Sequence, residues 1–293
     1  MNPLKKTLKE YAAEVNQRLE ELLPAEDAVP GEIHTAMRYS VFAGGKRLRP
    51  VLAMLMCDAC GVDHSRVLNA ACALEMIHTY SLIHDDLPAM DDDDLRRGQP
   101  SCHRKFGEDI AILAGDALLT YAVEVIADAF DDPLLSVKVL RCVIRAVGTQ
   151  GMIGGQVLDV TLENTAPTLE KVESVHRWKT GALITASVSI GAIAAQASEK
   201  IVAAAESYGK NIGHAFQIAD DILDIRSTAE ELGKTPGKDS AEGKITYPAV
   251  LGLDESEKRA RQYVKNALED ISILGDHAGT LSELAEYIVE RTN

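Results

Sequence analysis

The sequence contains few aromatic residues and few cysteines, and it has no long uninterrupted apolar run. Only 4% of the 293 residues are aromatic, and five are cysteine. An odd number of cysteines in a chain of this length suits a reducing compartment better than a disulfide framework. The longest apolar run, Gly181 to Ala197, is too short and too rich in Ala, Ser and Gly to span a bilayer. We therefore expect this run to be a buried helix packed closely on its neighbours, in a cytoplasmic protein with no integral membrane segment.

Two further signals are missing. Residues Met1 to Leu23 are charged and amphipathic, without the apolar core of a signal peptide. Cys57 and Cys60 have Cys-x-x-Cys spacing, but no second cysteine or histidine pair stands at the spacing of a zinc site. We expect these two cysteines to lie on a buried helical face.

Basic residues are outnumbered by acidic ones, which gives a formal net charge of −15. Binding to nucleic acid or to an anionic membrane needs a basic face that displaces counterions, so the composition argues against both. An acidic protein can still bind a polyanion through divalent cations.

Strand patterns are scarce, whereas the helix formers Ala, Leu, Glu and Lys are abundant, so the sequence predicts an all-α fold. No repeat of fixed period and no Pro/Gly/Ser linker divides the chain, which favours a single domain over residues 1–293. Helical patterns recur along the chain with short breaks, and the last one lies near the carboxyl terminus. The patterns before it cover Lys5 to Leu23, Ile33 to Phe42, Val51 to Cys60, Ser65 to His84, Ile110 to Ala129, Leu134 to Thr149, Leu169 to Ala197, Ile201 to Ile225 and Ser256 to Ile273.

The most informative segment runs from His84 to Gly98 and contains Asp85, Asp86 and Asp91. Hard divalent cations prefer carboxylate oxygen, and Mg²⁺ commonly uses one or two carboxylates together with substrate phosphates. On an unbroken helix, Asp91 would point about 120° away from Asp85. Pro88 disfavours helix at the preceding residue and can turn the chain so that Asp91 returns toward Asp85. The next three aspartates, 92 to 94, fit a solvated acidic loop equally well.

A second cluster contains Gln217, Asp220, Asp221 and Asp224. Asp220 and Asp224 are four residues apart and share one helical face, with Gln217 one turn earlier. Their immediate neighbours are apolar, so this is not an ordinary solvated stripe.

Cations stand at three further places: beside the Gly44-Gly45 turn, at Arg96-Arg97, and at Lys179-Thr180. Arginine and lysine side chains bind phosphate oxygens. A long irregular stretch, Arg226 to Pro248, also contains basic residues, among them Lys234 and Lys244, and loops of this length in compact domains are often lids. Together these features indicate two diphosphates, one held through metal and one by direct basic contact.

At this point the sequence resembles the trans-isoprenyl diphosphate synthases, and the bacterial farnesyl diphosphate synthases in particular. The matching segments occur in the family's order over nearly the whole chain, at Gly44 to Pro50, His78, Asp85 to Gly98, Gly154 to Asp159, Lys179 to Gly181, Phe216 to Asp224 and Gly233 to Pro248. The resemblance implies a homodimer in which each subunit is a helical bundle around a central cavity. It also implies three Mg²⁺ ions per site, with Mn²⁺ as a possible substitute.

Roles follow from the resemblance residue by residue. The implied metal ligands or supporting carboxylates are Asp85, Asp86, Asp91, Asp159, Asp220, Asp221 and Asp224. The implied contacts to isopentenyl diphosphate are Lys46, Arg49, His78 and Arg97. The implied contacts to the allylic diphosphate are Arg96, Lys179, Thr180, Gln217, Lys234 and Lys244, and the implied catalytic set is Asp85, Asp91, Asp220, Lys179 and Arg96.

The expected reaction is head-to-tail condensation of isopentenyl diphosphate with dimethylallyl and then geranyl diphosphate. Tyr80 lies five residues before Asp85, about 7.5 Å below it at about 1.5 Å per residue, with Ser81 beside it. A phenol at that depth can block a growing chain, which predicts the fifteen-carbon farnesyl product. The alternative that Tyr80 is an ordinary helix-packing residue remains open.

Three other functions use parts of the same pattern. A geranylgeranyl diphosphate synthase would share every motif and differ mainly in the floor of the cavity. A terpene cyclase has no role for the site at Lys46 and Arg49, and its second metal motif is missing from the sequence. A non-catalytic regulatory subunit is disfavoured by the intact double aspartate clusters.

Overall fold

A computed structural model of the chain describes residues 3–163, 165–226 and 245–290. The described residues are predominantly helical, which confirms the all-α prediction. Their helices are α1 (Pro3–Leu22), α2 (Gly31–Val41), α3 (Leu48–Ala59), α4 (Leu68–Asp85), α5 (Cys102–Phe106), α6 (Glu108–Ala127), α7 (Pro133–Val147), α8 (Met152–Leu162), α9 (Leu169–Val175), α10 (Ala182–Ala194), α11 (Glu199–Arg226), α12 (Tyr247–Leu251), α13 (Leu253–Asp270) and α14 (Gly279–Glu290).

Several elements differ from the sequence prediction. The single helix expected over Leu169 to Ala197 is α9 and α10 joined by a π-helical turn, His176–Gly181. Helices α5 and α12 are too short for the periodic pattern to reveal them, and α8 was missed because its Gly154-Gly155 pair disfavours a helix. A short hairpin pairs Leu95–Arg96 with Gln99–Pro100. Short 3₁₀ segments cover His64–Arg66 and Ile271–Ala278.

The centre of the fold is formed by α4 and α10, whose side chains are buried on almost every face. Helix α4 packs against α3 and α6, and α10 packs against α3, α7 and α11. Gly191 allows α10 to approach α3 closely, because a Cβ there would lie 2.3 Å from the carbonyl oxygen of Ala53. The apolar run from Gly181 to Ala197 therefore forms a buried helix, as predicted.

Cys57 is buried on α3 and Cys60 is half-buried at its end, and both are free thiols.

Among the described residues, α6 is the one helix long and apolar enough to cross a membrane, with a mean hydropathy of 1.8. Core helices of soluble proteins pass the same test, and the inner face of α6 packs against α4. Its outer face leaves Ile112 and Leu113 45% and 52% exposed.

Candidate active site

The first aspartate cluster lies where α4 ends and the chain folds back on itself. Helix α4 stops at Asp85, and the backbone N–H of Asp91 donates to the carbonyl of Asp85 at 2.8 Å. The N–H of Asp93 similarly donates to the carbonyl of Asp86 at 3.2 Å. This closed turn around Pro88 confirms the expected return of Asp91 toward Asp85.

Asp86 and Arg96, predicted as a supporting metal ligand and a diphosphate contact, are paired with each other. Arg96 Nε donates to Asp86 Oδ1 at 2.9 Å, Arg96 Nη2 also bonds to that oxygen, and Nη2 reaches Asp93 Oδ2 at 3.1 Å. Asp86 is 2% exposed. The pair holds the hairpin against the end of α4, so the structure uses Asp86 as an anchor, and the metal and diphosphate roles of these two residues stay predictions.

Asp85 faces a cavity of about 680 Å³. The pKa of the Asp85 carboxyl is raised to about 6, chiefly by burial; Lys179 and Arg96 act to lower it, and the charges of Asp91 and Asp86 act to raise it. A carboxylate that is buried and has other carboxylates nearby gains more from a divalent cation than a solvated one does.

Arg47, which was not predicted as a site residue, holds the Gly44-Gly45 turn in place through hydrogen bonds. Arg47 has a left-handed backbone, with φ of 52°, and is 3% exposed. Its guanidinium donates to Glu75 Oε1 at 2.8 Å and to the carbonyls of Val41 at 2.7 Å and Gly44 at 3.0 Å. A buried glutamate on the otherwise apolar α4 was the signal that could have revealed this pair.

The residues predicted to bind isopentenyl diphosphate lie at or near this turn. A Cβ at Gly45 would lie 2.3 Å from Arg97 Nη1, so the Arg97 guanidinium lies against the glycine turn. Burial lowers the pKa of Arg49 to about 10, with Glu75 and Asp220 raising it and Arg97 lowering it. Burial holds the pKa of His78 well below its usual value, and the positive charges of Arg49, Arg97, Arg96 and Arg47 lower it further. His78 is therefore neutral. Lys46 is exposed at the turn.

Helix α8 and the π-helical turn pack with their backbones in contact. A Cβ at Gly155 would lie 2.1 Å from the backbone nitrogen of Lys179, so only glycine allows this approach. Gly155 and Asp159 share one face of α8, being four residues apart. As a result, Asp159 Oδ2 accepts from Lys179 Nζ at 2.5 Å. Inserted π-type turns occur often at functional sites.

The second aspartate cluster lies on α11, opposite the π-helical turn. Asp220 is half-buried and lies close enough to Arg49 to raise its pKa. Asp221 is 6% exposed, and its Oδ2 accepts from the backbone N–H of Tyr247 at 2.8 Å. Asp224 is also buried, and Gln217 is half-buried one turn before Asp220.

The cavity lining combines polar and apolar side chains. Its polar residues include Arg49, His78, Asp85, Lys179 and Thr180. The apolar side chains that line the same cavity are Leu82, Leu87, Met90, Ile112, Met152, Ile153, Val157 and Val160. Arg49 lines this cavity, and Asp220 is close enough to raise the pKa of Arg49, so the second aspartate cluster lies near the cavity that Asp85 lines.

Tyr80 and Ser81 also line the cavity. Tyr80 is 6% exposed, and its ring meets the His84 ring edge-on at 5.8 Å between centroids. A larger groove, of about 920 Å³, lies between α7, α10 and α11 and is lined by none of the predicted site residues. Lys234, Lys244 and most of the predicted lid lie outside the described residues.

The described residues assemble no group of three or more His, Cys, Asp or Glu that could hold a metal on its own. Mg²⁺ does not require such a group, because it binds through one or two carboxylates, substrate phosphates and water. The oxygen donors of Asp85, Asp91 and Asp220, with a buried carboxylate of raised pKa among them, fit this mode of binding.

Known proteins resemble the chain over most of its length. A geranylgeranyl diphosphate synthase from Cyanophora paradoxa is 49% identical over 267 residues, which cover 90% of this chain and 89% of that protein. The large subunit 1 of a chloroplastic heterodimeric geranylgeranyl pyrophosphate synthase from Arabidopsis thaliana is 45% identical over 287 residues, covering 95% of this chain and 77% of that protein. These names do not confirm the predicted farnesyl product and favour its twenty-carbon alternative.

Solved structures agree with the fold. The apo crystal structure of an FPP/GFPP synthase from Zymomonas mobilis superposes with a TM-score of 0.87 at 36% identity, covering 98% of each chain. This match confirms the expected isoprenoid synthase-type architecture. The polyprenyl synthetase family matches residues 30–278, which include both aspartate clusters, the glycine turn and the π-helical turn. On its sequence, its fold and the arrangement of its cavity, this chain is a prenyltransferase and belongs to the polyprenyl synthetase family.

Proposed function

We propose that this chain condenses isopentenyl diphosphate head to tail with allylic diphosphates, in a reaction that depends on Mg²⁺. One observation carries the proposal: a single cavity is lined both by charged groups, Asp85, Arg49 and Lys179, and by a series of apolar side chains. An isoprenoid diphosphate needs both kinds of wall, because it has a polyanionic head and a hydrocarbon tail.

The roles of the residues follow from their positions. Asp85, Asp91 and Asp220 would hold Mg²⁺ bound to the allylic diphosphate, and Asp159, Asp221 and Asp224 lie in or beside this shell. When bound, the metal stabilises the charge that develops on the departing diphosphate. Lys179, which Asp159 holds in place, and Thr180 contact the same diphosphate.

The second substrate lies at the glycine turn. Lys46, Arg49 and Arg97 bind the diphosphate of isopentenyl diphosphate and orient its double bond toward the allylic carbon. His78 is neutral, so it adds a hydrogen-bonding group without further positive charge. The apolar walls exclude water from the allylic cation that would remain when the diphosphate leaves. The double bond of isopentenyl diphosphate would attack this cation, and the tertiary cation formed with the new carbon–carbon bond would lose a proton to the departed diphosphate, which completes one elongation.

Product length has two candidates. The names of the Cyanophora and Arabidopsis relatives support the twenty-carbon geranylgeranyl diphosphate, and we take this as the better supported product. The fifteen-carbon product remains the second candidate, because Tyr80 lines the cavity and its ring can limit the length of the hydrocarbon chain that fits.

We also propose that the chain is a homodimer and that the outer face of α6 forms the contact. Leu113 is 52% exposed there, on a helix of mean hydropathy 1.8, and Ile112, which is 45% exposed, also borders the cavity, so this contact would lie beside the cavity. Leu113→Glu should give a monomer by light scattering, and an unchanged dimer would contradict this interface. The cytoplasmic location stays a prediction, since the Arabidopsis relative is named chloroplastic.

The test of the activity uses purified protein alone with isopentenyl and dimethylallyl diphosphate. We expect Mg²⁺-dependent release of pyrophosphate and prenyl diphosphates of fifteen or twenty carbons by mass spectrometry. Asp85→Asn should lower turnover at least a hundredfold. A wild-type protein that forms no condensation product would instead indicate a regulatory subunit, and cyclic hydrocarbons would indicate a terpene cyclase.

A further inference from the structure

A buried group of side chains lies around Asp221 of the second aspartate cluster, and the reaction outlined above gives no role to its other two members. It consists of His176, Asp221 and Tyr247, which are 5%, 6% and 0% exposed. They come from three separate elements: the π-helical turn, α11 and the start of α12. Each element carries or adjoins residues that the proposed function requires.

The contacts converge on one oxygen of Asp221. Its Oδ2 accepts from the backbone N–H of Tyr247 at 2.8 Å and lies 3.6 Å from His176 Nε2. The rings of His176 and Tyr247 pack together at 5.3 Å between centroids. The hydroxyl of Tyr247 is in turn 3.3 Å from Glu173 Oε1, which also accepts from Arg259 at 3.1 Å.

His176 is buried against the same carboxylate oxygen. Its Nε2 is the ring nitrogen nearest Asp221, and a carboxylate attracts an N–H and repels a nitrogen lone pair, so an N–H belongs on Nε2. The other ring nitrogen, Nδ1, is buried without a hydrogen-bond partner among the described residues.

The backbones around this group are in direct contact, which transmits a shift at one element to the others. A Cβ at Gly213 on α11 would lie 2.9 Å from the Cα of Gly181 in the π-helical turn. Lys179 of that turn lies against Gly155 of α8 in the same way. A displacement of His176 against Asp221 would thus move Lys179 relative to Asp220.

We propose that His176 and Tyr247 clamp Asp221, and that this clamp positions Asp220 relative to Lys179 so that both reach one metal-bound diphosphate. In this view Asp221 is a positioning residue whose carboxylate is occupied within the protein, in contrast to the metal-ligand role suggested by its place in the motif. The inference rests on the proposed function, because it concerns the same metal-diphosphate site.

The experiment measures binding of Mn²⁺ with inorganic pyrophosphate by calorimetry, which requires no turnover. Loss of an outer-shell partner typically costs about 10- to 100-fold in metal affinity. We expect that loss for His176→Phe, which keeps a ring but has no N–H, and recovery to within about fivefold for His176→Gln, which keeps a donor. His34→Phe, at a half-buried histidine on α2 with a bond to the Ala28 carbonyl, is the matched control and should bind as the wild type does.

A second comparison separates an anchor from a ligand. Asp221→Asn keeps an oxygen that can accept from Tyr247, so it should weaken Mn²⁺-pyrophosphate binding less than tenfold, whereas Asp220→Asn should weaken it more than a hundredfold. Melting temperatures without metal identify any variant that fails to fold.

Equal losses for the two aspartate variants, or wild-type affinity in folded His176→Phe, would overturn the clamp. A wild-type protein that binds Mn²⁺ and pyrophosphate but forms no prenyl product would contradict the proposed function and leave this comparison valid.

Discussion

The ion pair beneath the glycine turn gives the sharpest prediction on stability. Arg47 Nη1 and Glu75 Oε1 are 2.8 Å apart, and each side chain is 2% exposed. Arg47→Met leaves the Glu75 carboxylate buried without its partner, and breaking a buried pair from one side costs about 3–5 kcal/mol. The carbonyls of Val41 and Gly44 also lose a donor, so we place the loss at the upper end of this range. A domain with a total stability of about 5–15 kcal/mol would then be close to unfolding.

The assay is urea unfolding followed by circular dichroism, with midpoint and slope compared between variants. The double variant Arg47→Met/Glu75→Leu leaves no charge buried and should recover most of the loss. Its KM for isopentenyl diphosphate should still be raised, because the turn that presents Lys46 has lost its support. A loss below about 1 kcal/mol for Arg47→Met, or a double variant less stable than the single, would refute this reasoning.

Three further predictions test packing, product length and pH dependence. Gly155→Ala should cost about 1–3 kcal/mol and lower turnover by displacing Lys179, since its Cβ would meet the Lys179 backbone, whereas Gly279→Ala, with no atom within 4 Å of its Cβ, should do neither. Tyr80→Ala should lengthen the products measured by mass spectrometry, and an unchanged product profile would show that Tyr80 only packs the helix. Burial acts to lower the pKa of His64, but the carboxylates of Asp58 and Glu14, each 3.1 Å from the ring, outweigh it and raise the pKa. The protonated His64 ring therefore stabilises the fold fully below pH 6.5, and this stabilisation is lost as the pH rises through the folded-state pKa. The melting temperature should fall more steeply above pH 6.5 in the wild type than in His64→Gln. Parallel curves of melting temperature against pH would contradict this.

The sequence was sufficient where local chemistry determines the outcome. Helix formers and scarce strand patterns predicted the all-α fold, and Pro88 predicted the turn that returns Asp91 to Asp85. The apolar run from Gly181 to Ala197 was correctly expected to be buried. These features depend on residues close together in the chain, so their spacing carries the information.

Features that depend on contacts between distant residues were not predictable in the same way. Nothing local to Asp86 shows that Arg96 neutralises it, and nothing local to Asp221 shows that Tyr247 donates to it. The π-helical turn lies against Gly155 of α8 and Gly213 of α11, and a periodic pattern cannot reveal these contacts. The farnesyl prediction rested on Tyr80 and on the resemblance to bacterial farnesyl diphosphate synthases, while chain length depends on every residue around the apolar part of the cavity.

The central claim is that both aspartate clusters bind the same diphosphate through divalent cations. Diffraction from crystals grown with Mn²⁺ and inorganic pyrophosphate tests it most directly, because the anomalous signal locates each metal ion. The account predicts Mn²⁺ peaks beside Asp85 and Asp91 and beside Asp220, bridged by a single pyrophosphate that also contacts Lys179. Metal ions confined to one cluster, or a pyrophosphate bound away from this cavity, would contradict it.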